Sequence, residues 1–276
     1  MVIKANKFRP IFVTGTGTDV GKTYVTALLC KELKSYLEHS ASDKRSLAYY
    51  KAAISGAEDI ASSDAGMVNK VAALEQDLNT LTSYLYAEAV SPHLAQRHAG
   101  TESISLERIK HDFKAVNDQV KLTVLEGSGG IYCPLCWDYH KRPYLTGGQI
   151  PDKVVTKSNT ESSCVLSDIN ASCYTISDLM MELNKEYDLS IVVVADAALG
   201  CINNVVMTLN SLRAEGFDLS KVVVILNNFI AGDAMYEDNF KMIEAMTNVP
   251  IIATLAHNES HMKLNEAYLE RLLVAK

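Results

Sequence analysis

Near its start the sequence carries Gly15-Thr16-Gly17-Thr18-Asp19-Val20-Gly21-Lys22-Thr23, a glycine-rich stretch ending in a cation and a hydroxyl. Glycines let successive backbone N–H groups converge on phosphate oxygens, and a helix starting there adds the positive end of its dipole. Lys22 then reaches the terminal phosphates, and the Thr23 hydroxyl is a ligand for Mg²⁺. The flanks suit this role: Pro10 to Val13 reads as a strand, and Tyr24 to Leu37 carries a helical pattern. The common spacing has a glycine at position 16, where this chain has Thr16; the glycine falls one residue earlier. A bare glycine turn with an incidental Lys-Thr is the structural alternative, and the strand–loop–helix context argues against it.

A Mg²⁺ ion bridging phosphates needs carboxylates besides the threonine, and strand ends facing the loop are where they belong. Two acids fit. Glu126 follows the apolar run Leu122 to Leu125 and precedes Gly127-Ser128-Gly129-Gly130, small residues that let backbone approach a nucleotide closely. Asp64 opens a second helical pattern, where a cap or first-turn acid is the plain structural use. Lys51 comes just past the run Leu47 to Tyr50, at a predicted strand end where a second cation faces the same loop; an ordinary solvent-facing lysine is its alternative.

The elements that must position these residues follow a strand–helix–strand rhythm. Apolar runs at 10–13, 47–50, 122–125, 191–194, 222–226 and 251–255 alternate with amphipathic stretches. Ile191-Val-Val-Val and Val222-Val-Val-Ile-Leu are apolar on both faces, which suits central strands of a parallel sheet covered on either side. The expected fold is α/β, a doubly wound, mostly parallel sheet with helices on both faces, formed by one domain over 1–276. Asp138 to about Asn170 breaks the rhythm with Ser, Thr, Asn, Gly and Lys, and reads as a surface insertion.

A formal charge of -7 provides no broad basic field for a polyanion, so nucleic acid is not an expected partner. No apolar run reaches the ~18 residues of a membrane span and the first residues lack a signal-peptide core, so a cytoplasmic protein is expected. Cysteines at 30, 133, 136, 164, 173 and 201 read as reduced, packed thiols. The Cys133-x-x-Cys136 pair lacks a second close-spaced pair and reads as packing rather than a zinc site.

The loop at 15–23 resembles the modified P-loop of the dethiobiotin synthetase family. Four further segments follow in that family's order: Tyr50-Lys51-Ala-Ala-Ile-Ser55-Gly56, Ser91-Pro92-His93, Val124-Leu-Glu126-Gly-Ser-Gly-Gly130 and Leu199-Gly200-Cys201-Ile202-Asn203. The resemblance implies a P-loop ligase that forms dethiobiotin from 7,8-diaminononanoate and CO₂ or bicarbonate, with ATP as co-substrate and Mg²⁺ as cofactor. It makes Thr18, Lys22 and Lys51 contacts to phosphate and the reacting carbamate, and Ser55 a substrate contact. Asp19, Val20, Gly21, Lys22, Thr23 and Tyr24 would line the ATP site with Asp64, Glu126, Gly127, Ser128, Gly129, Asn227 and Asn228; Asn227 would read adenine. Thr23, Asp64 and Glu126 become the Mg²⁺ ligands. Gly200, Cys201, Ile202 and Asn203 would bind the substrate carboxylate across a subunit boundary, which implies a homodimer. Departures are Asp19, where the family often has glutamate, and Leu255-Ala256-His257-Asn258, where a proline-containing turn usually borders the base. A partitioning P-loop ATPase is the rival, but Thr16 and Gly17 stand where those proteins carry a second lysine.

Overall fold

The computed structural model describes residues 8–40, 46–138 and 173–273. Seven strands form the main sheet: β1 (Ile11–Gly15), β2 (Leu47–Ser55), β3 (Thr82–Tyr86), β4 (Leu122–Gly130), β7 (Ser190–Asp196), β8 (Val222–Asn227) and β9 (Ile251–Thr254). Their spatial order is β3-β2-β4-β1-β7-β8-β9, and every neighbouring pair is parallel. A small antiparallel pair, β5 (Pro134–Cys136) with β6 (Tyr174–Thr175), stands apart from that sheet.

Alternate residues of a strand face opposite ways, and here both faces are covered. Phe12, Tyr50, Leu125 and Val193 pack one way, against α4 (Leu106–Asn117), α5 (Ile176–Tyr187) and α6 (Cys201–Ala214). Ile11, Tyr49, Val124 and Val192 pack the other way, against α1 (Lys22–Ser40), α2 (Asp64–Val71) and α8 (Leu269–Leu273). The helices α3 (Pro92–Ala99) and α7 (Ala234–Thr247) complete the set.

From β1 the chain fills one side of the sheet and then crosses to β7 on the other, so β1 is the switch point, and ligands of such sheets bind beyond the carboxyl ends there. The loop 15–23 and the turn 197–200 both emerge at that edge.

Two strands run further than hydropathy suggests. β2 continues through Lys51 to Ser55, and β4 through Glu126 to Gly130. Lys51 is therefore inside a strand, not past its end: its N–H donates to the Leu81 carbonyl (2.9 Å), and it sits opposite Glu126 on β4 and Thr82 on β3. Backbone pairing with two neighbours sustains a strand through charged residues when their side chains meet each other rather than apolar core. The edge strand β3, Thr-Ser-Tyr-Leu-Tyr, has too few apolar residues to be read from sequence. Of the predicted insertion at 138–170, only Asp138 lies within the described residues. Among the described residues no helix is long and apolar enough to cross a membrane.

Candidate active site

The phosphate loop is tied to the sheet at one end and to a helix at the other. Thr16 N–H donates to the Val194 carbonyl on β7 (2.9 Å), and the Val25 N–H donates to the Gly21 carbonyl (2.9 Å) as α1 begins. Gly21 holds φ +83°, and a Cβ there would come within 2.2 Å of the Asn227 amide nitrogen, so both conformation and space require glycine. Asp19 also takes a positive φ, 59°, which turns the chain toward the helix. The Lys22 ammonium, almost wholly buried, folds back onto the Gly17 carbonyl at 2.7 Å. Burial lowers its pKa, with Glu126 opposing and Lys51 adding to the shift. Gly130 lies alongside: its missing Cβ would stand 3.5 Å from the Gly15 oxygen.

Opposite this loop the charged residues gather around one cation. Lys51 Nζ stands 2.5 Å from Asp64 Oδ2 and 2.9 Å from Glu126 Oε1, and Thr23 Oγ1 donates to the same Glu126 oxygen at 2.7 Å. The Glu126 side chain is 0% exposed, Lys51 6% and Asp64 47%, so the cluster is dry at one end and open at the other. Burial alone would lower the Lys51 pKa; Glu126 and Asp64 outweigh it and leave it raised. Ser63, not Asp64, is the N-cap of α2, accepting from the Gly66 N–H, which leaves the Asp64 carboxylate free to reach Lys51. Asp64 and Glu126 already flank a positive charge, and the Thr23 hydroxyl shares the Glu126 oxygen that meets it. Hard oxygen donors of this number and charge fit a Mg²⁺ that takes its remaining ligands from phosphate and water.

Tyr49 belongs to this cluster, and sequence reasoning missed it. Its hydroxyl donates to Glu126 Oε2 at 3.1 Å from a fully buried position. Burial, chiefly, and the Glu126 and Asp64 charges push its pKa well above the ordinary phenol value, so it stays a donor. The available signal was its place two residues before Lys51, which puts both on one face of β2.

The residues expected to contact substrate are less closely joined. Ser55 donates to the Val90 carbonyl (2.5 Å), bringing the Ser91-Pro92-His93 start of α3 to the end of β2. Ser91 Oγ and His93 Nδ1 are 3.0 Å apart, and burial, with Arg97, holds the His93 pKa below its ordinary value. Ser128 Oγ is committed to the Ala53 carbonyl (3.0 Å), tying β4 to β2. Gly127 lets the Phe12 ring approach, its missing Cβ lying 3.0 Å from that ring. Gly129 adjoins both Cys133 and Thr18: a Cβ there would meet the Cys133 Sγ at 3.2 Å and the Thr18 hydroxyl at 3.8 Å. Cys133 is thus a wall of this site, which its reading as a packing thiol had not suggested. Burial raises its pKa, and Lys22 and Lys51 oppose that shift.

The turn before α6 stands apart. Gly200 caps α6 at φ +96° without a side-chain bond, and Leu199 is 86% exposed. With β4 and β1 between β2 and β7, strands ~4.8 Å apart give a lateral offset of roughly 14 Å from Lys51, and the register that levels Lys51 with Val192 sets the turn further along the strand direction as well. Cys201, Ile202 and Asn203 form the first turn of α6, of which Cys201 is buried and Asn203 exposed.

On the far side of β7, Asn227 closes β8 and donates to the Val20 carbonyl (3.2 Å), while its Oδ1 is buried without a partner among the described residues. An orphaned acceptor beside the phosphate loop is what an exocyclic amine would satisfy. Asn228, by contrast, is engaged at both ends of its amide: Nδ2 donates to Asp196 Oδ2 (2.6 Å), and Oδ1 meets His257 Nδ1 (3.1 Å). Tyr24 donates its hydroxyl to the Glu259 carbonyl, binding the turn after β9 to the first turn of α1.

A family model described as an AAA domain matches residues 9–139 and 170–264. Curated relatives named ATP-dependent dethiobiotin synthetase BioD include one from Brachyspira hyodysenteriae, 34% identical over 265 residues, which covers 96% of this chain and 98% of the relative. Another, from Clostridium perfringens, is 32% identical over 262 residues, covering 93% of this chain and 95% of the relative. Among solved structures, a ParA family ATPase from Chlorobium tepidum superposes at a TM-score of 0.47 and 12% identity, covering 96% of this chain and 89% of that one. That likeness is too distant to bear on activity or partners.

Proposed function

Because this chain belongs to the AAA-domain family and, within it, to the ATP-dependent dethiobiotin synthetases, we propose that it closes a cyclic urea from 7,8-diaminononanoate and CO₂ or bicarbonate, with Mg²⁺ as cofactor. The protein is an ATP-dependent ligase of biotin biosynthesis. The observation that carries the finer reading is the convergence of Lys51, Asp64, Glu126 and Thr23 beside the phosphate loop.

In this reading one amine of the diamine adds to CO₂ and gives a carbamate. The carbamate oxygen attacks the γ-phosphorus of ATP, the bond to the β,γ-bridging oxygen breaks, and ADP leaves. The second amine then attacks the carbonyl carbon of the carbamic-phosphoric anhydride, expelling phosphate and closing the ring. Each intermediate is anionic, so the protein needs to position reactants and neutralise charge rather than supply a nucleophile. Lys22 faces the β- and γ-phosphates; Lys51, already buried and charged, meets the carbamate and the transferring phosphoryl group; Thr18 holds the same oxygens from the loop. When bound by Thr23, Asp64 and Glu126, Mg²⁺ would neutralise charge on the phosphates of ATP. The unpaired Asn227 oxygen accepts from the adenine amino group.

The same reading takes the protein to be a cytoplasmic homodimer. Ser55 would contact the diamine in one subunit, and the N–H groups of the α6 start, from Gly200 to Asn203, would bind its carboxylate from the other. The 138–170 segment is proposed as an insertion relative to the family, in keeping with the gap in the family match between 139 and 170. The test is a coupled assay with purified protein, Mg²⁺ and ATP. Dethiobiotin formation that requires both the diamine and bicarbonate supports the proposal; ATP turnover indifferent to both substrates refutes it.

A further inference from the structure

Glu126 has two carboxylate oxygens, and they have different partners. Oε1 receives Thr23 and Lys51, whereas Oε2, among the described residues, receives only the Tyr49 hydroxyl, at 3.1 Å. Tyr49 and Lys51 are two residues apart on β2 and lie opposite Val124 and Glu126 on β4, so the phenol reaches along the strand to the acid two pairs further on. The tyrosine is itself fixed. Its ring is fully buried, and its backbone is gripped on the other edge by one side chain: Gln76 Oε1 accepts from the Tyr49 N–H and Gln76 Nε2 donates to the Tyr49 carbonyl, both at 2.9 Å. Gln76 thereby supplies the pairing that β3, which joins β2 only from Lys51 onward, does not give at Tyr49.

We infer that Tyr49 is a positioning residue for the metal site, acting through Glu126. Resting on the proposal that Thr23, Asp64 and Glu126 hold Mg²⁺, it assigns Tyr49 the task of stopping rotation of the Glu126 carboxylate. With Oε2 held by the phenol, Oε1 alone is presented toward Thr23, Lys51 and the metal. A carboxylate without that bond is free to turn and offer both oxygens to Lys51, which competes with the metal for it.

Tyr49→Phe removes one hydroxyl and keeps the ring. The expected result is a several-fold rise in the Mg²⁺ concentration needed for half-maximal activity, with most of the loss recovered as metal saturates. Calorimetric titration of Mn²⁺ into protein saturated with a non-hydrolysable ATP analogue should show the same several-fold weakening. Combined with Glu126→Gln, the tyrosine change should add less than a twofold further effect, since the carboxylate it orients is gone. If Glu126→Gln weakens metal binding and Tyr49→Phe leaves it unchanged, the inference fails while the metal site stands. If neither variant affects metal binding, the metal site itself is misassigned and the inference falls with it. Equal loss of turnover at all metal concentrations, with unchanged Mn²⁺ affinity, would reduce Tyr49 to a structural residue. Should Tyr49→Phe alone fail to fold, the double variant decides: recovery of the fold supports action through Glu126, and continued failure overturns it.

Discussion

Replacing Lys51 with methionine keeps the length of the side chain and removes the charge that Glu126 faces. The Glu126 carboxylate, 0% exposed and 2.9 Å from the ammonium, is then left buried beside Thr23 and Tyr49 without a counter-ion in contact. Breaking a buried pair by removing one partner costs ~3–5 kcal/mol. The bond to Asp64 adds little to this, because that carboxylate is 47% exposed and water screens it. Lys22 remains within electrostatic reach of Glu126 and softens the loss, which favours the lower end, about 3 kcal/mol. At roughly 2–4 °C per kcal/mol for a chain near this size, Tm should fall by about 6–12 °C. The vacated position lies between the Asp64 and Glu126 carboxylates, so millimolar Mg²⁺ should restore part of the loss and stabilise the variant more than the unmodified protein. Thermal unfolding followed by circular dichroism, with and without Mg²⁺, measures both effects. A variant melting within about 2 °C of the parent, or equal Mg²⁺ stabilisation of the two, would refute the argument that Lys51 neutralises the cluster.

Lys22→Ala should lower turnover ~10²-fold or more in steady-state assays, because it withdraws charge from the transferring phosphoryl group. Asn227→Leu, which removes the unpaired acceptor, should raise the KM for ATP roughly tenfold, equivalent to ~1.4 kcal/mol of lost binding, with kcat less affected. His93 should titrate below ~6.5 in an NMR pH series; burial is the main cause and Arg97 the second, so Arg97→Ala should recover only part of the shift. Because the folded state resists protonating His93, its contribution to stability is present above ~6.5 and is lost as pH falls from there through the lower folded value. Two inactive variants, Lys51→Ala and Asn203→Trp, should regain up to about a quarter of parental activity when their subunits exchange, if the site spans a two-fold dimer. Asn203 is the better blocking position than Gly200, whose φ of +96° would be strained by any side chain.

The phosphate loop was legible because it is local. Gly15 to Thr23 is one contiguous stretch, and the flanking strand and helix are read from nearest neighbours in the chain. The apolar runs at 191–194 and 222–226 likewise announced buried parallel strands, and Glu126 and Asp64 stood out as acids beside small residues and a helix start. Asn227, at the end of the run 222–226, was singled out only by the family resemblance. What joins these residues is not local. Lys51 was read as a strand-end lysine because hydropathy stops at Tyr50, whereas the backbone pairing of β2 with β4 and β3 carries the strand on and sets Lys51 opposite Glu126. Tyr49 was no more than part of the apolar run 47–50 until that same register put its hydroxyl on Glu126, 77 residues away. The bonds of Asn228 to Asp196 at the end of β7 and to His257 in the turn after β9 likewise join residues far apart in the chain. A sequence determines which residues can bear charge or pack, since those are properties of single side chains and short periods. Which charge meets which depends on strand register, and register is fixed only when distant segments bury their faces together.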